Sequence, residues 1–177
     1  FEPAAQIGAL IEAEHMEKVL GLIEMGEKDG GRRAFGAERV LAETGGYYVS
    51  PGVITDVTND MRIARQEIFG PVLAAIGFDT EEEAIALANG TNFGLGAGVW
   101  TSDMARVFRF SKALQAGTVW VNTYRALGFM APFGGVKASG LGRESGQEMI
   151  KAYLQQKTVW INNSKQPPGN PFVMRLG

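Results

Sequence analysis

The residues with the most chemical promise lie at 65–71, Arg65-Gln66-Glu67-Ile68-Phe69-Gly70-Pro71, where a carboxylate and an aromatic ring fall in a turn just ahead of an apolar run. A loop of this kind can offer a ligand one hydrogen-bond acceptor and one flat apolar surface. Spacing alone favours a plainer use, a surface ion pair from Glu67 to Arg62 or Arg65. Gly140, Gly142 and Gly146, ahead of an expected helix, invite comparison with the turn that brings a pyrophosphate to a helix N-terminus. No strand precedes them, the last glycine falls one position too far on, and no acidic residue closes a second strand about twenty residues later, so they read as a tight turn. Gly94, Gly96 and Gly98 precede or occupy a strand and read as close packing.

His15 is the only histidine, placed on the polar side of an expected helix, where it reads as solvated. With one histidine and no cysteine, these residues cannot assemble a metal triad, a disulfide, a thiolate nucleophile or a histidine-paired one, and no metal is expected. Glu81-Glu82-Glu83 could draw a hard cation, but the first turn of a helix already accounts for them through the macrodipole.

The elements that must position these groups follow from periodicity. Leu10, Ile11, Met16, Val19, Leu20 and Ile23 recur at helical spacing over 9–27, and Gly30-Gly31 ends the run. Residues 47–49 and 53–54 read as short strands around a turn, and Pro51 argues against a central strand there. The run 72–78 has the continuous hydrophobicity of a strand buried on both faces. A helix through Ala88 follows, capped at Asp79-Thr80; then a strand at 96–100, a cap among Thr101, Ser102 and Asp103, a helix at 104–114, and a strand at 118–122. After a loop over 124–142, a helix at 144–154 and a last strand at 158–161 complete the pattern. Strands and helices alternating in this way imply an α/β fold, three layers in the order α/β/α with a mostly parallel sheet.

Composition bounds the function. The chain has 177 residues, 45% hydrophobic and 20% charged, which excludes intrinsic disorder. A formal charge of -2 leaves no basic stripe for a phosphate backbone, so nucleic acid is not an expected partner. Acidic residues interrupt the first stretch and the uncharged run 84–102 is broken by Asn89, Asn92 and four glycines, so neither a signal peptide nor a membrane span is expected and the cytoplasm is the expected location.

Read in order, several segments resemble motifs of the aldehyde dehydrogenase superfamily. Glu67-Ile68-Phe69-Gly70-Pro71 resembles E-I-F-G-P; Asn92-Phe93-Gly94-Leu95 with Trp100-Thr101-Ser102-Asp103 resembles N-x-[YF]-G-L and [VF]-[FW]-T-x-D. Residues 116–122 are similar to A-G-x-V-W-V-N and residues 132–140 to P-F-G-G-x-K-x-S-G, while Gly142-Arg143-Glu144 and Lys157-Thr158-Val159-Trp160-Ile161 complete the set.

The resemblance implies the C-terminal part of a catalytic domain over 1–156, then an oligomerisation strand and Pro-rich tail over 157–177. It implies oxidation of an aldehyde to a carboxylic acid with NAD or NADP, bound mainly by a coenzyme domain that these residues do not match. In that family a cysteine attacks the aldehyde, and the cysteine, the glutamate base and a ribose-binding lysine have no counterpart here. The chain alone is therefore expected to be inactive. Glu67 matches the carboxylate that accepts from the nicotinamide ribose, and Phe69 the aromatic against the nicotinamide ring. The loop 123–133 matches a wall of the aldehyde tunnel, with Thr123, Arg125, Leu127 and Phe133 as its candidate substrate contacts. The strand 157–161 is implied to join subunits into a dimer or tetramer. A rival reading makes the chain a non-catalytic interaction module working through that exposed strand.

Overall fold

The computed structural model describes residues 5–166, 169, 170 and 172. The order is α1 (Ala13–Lys28), β1 (Arg32–Phe35), β2 (Arg39–Val40), β3 (Tyr48–Val49), β4 (Gly52–Thr55), α2 (Arg62–Arg65), β5 (Val72–Ala74), α3 (Glu81–Asn89), β6 (Gly96–Val99), α4 (Met104–Ala113), β7 (Thr118–Val121) and α5 (Glu148–Ala152). Two 3-10 turns, Ala42–Thr44 and Lys137–Ser139, interrupt the loops.

The class is α/β with mixed sheets. Strands β1, β4 and β5 form one sheet in that order, with β1 antiparallel and β5 parallel to β4. Strands β2 and β3 form an antiparallel ribbon, and β6 pairs with β7 in parallel, Gly96 opposite Thr118 through Val99 opposite Val121. The parallel pair β6–β7, joined through α4, arises as the alternating pattern predicts; the parallel pair β4–β5, joined through the short α2, is not anticipated by it. Between β5 and β6 there is no pairing; a groove of about 990 Å³ lies there, lined by Leu73, Phe78, Val99, Trp100 and Phe110 among others.

That break explains one departure from the sequence reading. The run 72–78 is expected to be buried on both faces, yet only Val72–Ala74 is strand, and Leu73 and Phe78 are exposed where they line that open groove. Conversely β4 is the central strand of its sheet despite Pro51, since the proline stands just before it and Gly52 is the first residue to pair with β5. Strand β1, with all four residues exposed, carries no burial pattern that periodicity could detect.

The core lies where α1 packs on the first sheet. Met16, Val19 and Ile23 of the helix meet Ala37, Val49, Ile54, Val57 and Ile63. Complete burial of a Val or Ile side chain contributes about 1.5–3 kcal/mol, so this cluster is the main apolar stabilisation of residues 13–63. Arg62 then ties α2 to the end of α1 by a forked pair of bonds to Asp29, 3.0 Å from Nε and 2.6 Å from Nη2.

The caps follow their sequence signals. Thr80 accepts from the Glu83 backbone N–H at 3.2 Å, and Asp103 from that of Ala105 at 2.8 Å. Beyond its place near the N-terminal dipole, Glu81 takes hydrogen bonds from Arg106 and Arg109 of α4, so the acidic first turn also joins two helices. The helix expected at 144–154 is shortened to Glu148–Ala152, because Glu144 instead bridges to Phe133 by two backbone bonds. The strand expected at 158–161 is not formed: these residues carry no regular secondary structure and no strand partner among the described residues, and Trp160 is 92% exposed.

Candidate functional site

Residues 66–71 pass from α2 into β5, and two features make this short connection unusual. Phe69 has φ +55°, a left-handed conformation that residues with a Cβ rarely adopt, and its ring is exposed. Gly70 then lies flat on α1, where an added Cβ would come within 2.9 Å of both Val19 methyls.

Glu67 is exposed and lines a cleft of about 500 Å³ with Arg65, Asn89, Thr91, Phe93 and Gln115. The ion pair that spacing suggested is absent among the described residues: Arg62 is committed to Asp29, and Arg65 shares the cleft with Glu67 without bridging to it. The carboxylate is thus an acceptor free for a ligand's hydroxyls, and the Phe69 ring a flat surface two residues away. Groups of this kind can take a ligand that carries both hydroxyls, which donate, and a flat ring, which packs.

A second cavity of about 270 Å³ is built by the loop after β7. Leu127 and Phe133 line it with Phe129, Pro132 and Ala131, so it is apolar on most sides. Thr123 and Arg125 are exposed and do not line it; Arg125 has φ +56°. The structure therefore brings Leu127 together with Phe133 and leaves Glu67 and Phe69 apart from both.

The loop is held by contacts that sequence reading passed over. The Trp120 indole N–H donates to the Ala126 carbonyl at 2.8 Å and its ring meets Tyr124 edge-on, centroids 5.6 Å apart. Gly146 N–H donates to Phe129, and Phe133 exchanges backbone bonds with Glu144 at 2.7 and 2.8 Å. Gly140, Gly142 and Gly146 all have positive φ ahead of a five-residue helix, as a tight turn requires. The 3-10 turn Lys137–Ser139 grips the turn after α3: Lys137 donates to the Asn89 and Thr91 carbonyls, Ala138 N–H to Asn92, and Ser139 Oγ accepts from Gly94 N–H.

His15 corrects the sequence reading most sharply. Expected in solvent, it is half-buried, its Nε2 is 2.7 Å from the Phe69 carbonyl oxygen, and its ring lies 5.8 Å from the Phe69 ring. No sequence signal pointed to it, because the contact spans 54 residues.

Comparison with known proteins now identifies the class. The model of the aldehyde dehydrogenase family matches residues 1–159, and the chain belongs to that family. It is 49% identical over 161 residues to a betaine aldehyde dehydrogenase of Cereibacter sphaeroides, covering 91% of this chain and 33% of that protein. To acetaldehyde dehydrogenase 2 of Cupriavidus necator it is 46% identical over 172 residues, 96% of this chain and 34% of the other. Among solved structures, an indole-3-acetaldehyde dehydrogenase of P. syringae in complex with NAD+ superposes with a TM-score of 0.87 at 46% identity, over 90% of this chain and 32% of that one. The chain spans about a third of the length of the curated relatives it matches.

Proposed function

We propose that residues 1–156 are the C-terminal part of the catalytic domain of an NAD(P)+-dependent aldehyde dehydrogenase, and that 157–177 form its oligomerisation strand and tail. The observation that carries this reading is that Glu67, exposed in its cleft and without an ion-pair partner among the described residues, is followed two positions on by the exposed Phe69 ring, within the segment that bears the family's E-I-F-G-P motif. Support also comes from the relative of P. syringae, which was solved with NAD+.

The coenzyme would supply the hydride acceptor. Glu67 would accept from the ribose hydroxyls and Phe69 would back the nicotinamide ring, so that these two residues orient the acceptor carbon without exchanging a proton themselves. Leu127 and Phe133 would exclude water from the aldehyde's apolar end, while Thr123 and Arg125 would stand on the outer part of the same loop. The nucleophilic thiolate comes from outside this chain, which has no cysteine. The relatives named above act, by name, on betaine aldehyde, acetaldehyde and indole-3-acetaldehyde at nearly equal identity. Their likeness therefore supports an aldehyde and selects none, and the loop 123–133 is the part that would choose. The exposed Val159, Trp160 and Ile161 support a role for 157–161 in joining subunits.

The test uses the intact protein that carries this chain. Aldehyde-dependent NADH or NADPH formation is expected from it and none from the 177-residue chain alone. Glu67→Gln should slow hydride transfer in single-turnover measurements, since a charged acceptor contributes about 1.5–3 kcal/mol to its hydrogen bonds. Activity of the isolated chain, or unchanged hydride transfer in the variant, would overturn the reading.

A further inference from the structure

We propose that His15 is a positioning residue for the coenzyme: its imidazole holds the Phe69 peptide in the left-handed conformation that presents the Phe69 ring to the nicotinamide. This rests on the reading of Glu67 and Phe69 given above and extends it to a residue on a different element.

Three observations converge. A carbonyl oxygen only accepts, so at 2.7 Å the Nε2 of His15 carries the proton and donates to Phe69. The peptide it binds belongs to a residue with φ +55°, a conformation that persists in a phenylalanine only when the surroundings impose it. The two rings lie 5.8 Å apart at 47°, so His15 covers one edge of a ring that is otherwise 69% exposed. One turn further along α1, Val19 receives Gly70 in a contact too close for a Cβ. Positions 15 and 19 share a helix face. Helix α1 therefore grips two consecutive residues, Phe69 through a hydrogen bond and Gly70 through packing. The Val19 contact fixes where the chain lies, and the His15 bond fixes which way the Phe69 peptide faces.

The consequence is separable from stability. Without the His15 donor the Phe69 peptide is free to leave the left-handed region while Gly70 stays on Val19, so the ring moves and the core does not. In the intact protein, His15→Ala should weaken NADH binding, read by nicotinamide fluorescence, and raise the KM for NAD+ by about three- to tenfold, the worth of one neutral hydrogen bond. The KM for the aldehyde and the melting midpoint should stay as they are. His15→Gln, whose side-chain amide N–H reaches to a similar point, should restore most of the loss. In a Phe69→Ala background, His15→Ala should change NADH binding by less than about twofold, because coupled residues are not additive.

Unchanged NADH binding in His15→Ala, a His15→Gln variant as impaired as the alanine, or full additivity with Phe69→Ala would each overturn the positioning role. If Glu67→Gln and Phe69→Ala also leave coenzyme binding untouched, the coenzyme reading itself falls; if those two respond and His15→Ala does not, only the positioning role falls.

Discussion

The Lys137 ammonium sits 2.8 Å from the Asn89 carbonyl, the last residue of α3, and 3.0 Å from that of Thr91. A cation here meets carbonyls that the helix leaves unpaired and the negative end of its dipole. The segment around Lys137 is thereby the clamp for the turn that opens into β6. Lys137→Met should lower the unfolding free energy of the protein by about 1 kcal/mol. Chemical denaturation measures it, and an unshifted midpoint would show that water serves the helix end as well as the lysine does.

Acid should loosen the α3–α4 contact. Hydrogen bonds from Arg106 and then Arg109 hold the Glu81 carboxyl below its usual range, and Arg62 does the same for Asp29. Lowered folded-state values mean that these groups favour the folded state at neutral pH. That contribution is present above the unfolded value, near pH 4, and is lost as pH falls below it toward the folded value. Urea midpoints measured from pH 7 down to pH 3 should fall at the acid end. Glu81→Gln should lower the midpoint at pH 7 and flatten that acid limb, and an acid limb as steep as in the parent would place the sensitivity elsewhere.

Much of this was legible in the sequence because it is local. The Thr80 and Asp103 caps, the helical periodicity of Met16, Val19 and Ile23, and the parallel partnership of β6 with β7 each follow from spacing within a few turns of chain. What the sequence concealed is long-range. The bond from His15 to Phe69 spans 54 residues and the one from Lys137 to Asn89 spans 48, distances over which no periodicity speaks. The strand at 72–78 begins where expected but is shorter and more exposed, since an apolar run reports burial only where something packs on it, and Leu73 and Phe78 instead face an open groove. Of the candidate site, motif likeness named Glu67, Phe69, Thr123, Arg125, Leu127 and Phe133, of which Thr123 and Arg125 do not line the loop's cavity, while the contacts that hold these segments stayed unseen.

Gly117 has no room for a side chain. A Cβ there would lie 1.7 Å from the Gly134 carbonyl oxygen, a backbone atom with no rotamer by which to withdraw. The Gly117 N–H also donates to Gly94 at 3.0 Å at the entry to β7, so the backbone cannot shift without unseating that pair. Gly117→Ala should cost at least the about 1–3 kcal/mol of a typical overpacked core. The measurement is soluble yield and melting midpoint of the variant; parent-like values would mean the two loops can separate freely.

The apolar cavity behind the loop 123–133 should set aldehyde preference. Changes of one methylene in such a wall are worth about 1–3 kcal/mol. Leu127→Ala and Phe133→Ala should shift kcat/KM between short and bulky aldehydes while coenzyme affinity holds, because neither residue lines the cleft that contains Glu67. Equal losses for every aldehyde would assign these side chains to folding. Phe133 carries the greater risk of that outcome, since its backbone is already bonded to Glu144.

Assembly should depend on residues 157–161. Val159, Trp160 and Ile161 are 67%, 92% and 78% exposed in a segment without regular secondary structure, an arrangement with backbone donors and acceptors to spare and apolar side chains in water. Strands are stabilised by their partners, so a segment of this composition is strand only when an edge is offered to it. A second copy can offer one by strand addition, in which main-chain bonds give affinity and alternate side chains give register. A charge on this segment opposes that pairing at the cost of little else, because its side chains make few contacts within the chain. Val159→Lys should therefore move the intact protein toward monomer in sedimentation velocity while leaving its melting transition in place at low concentration, and an unaltered sedimentation coefficient would show that subunits meet through another surface.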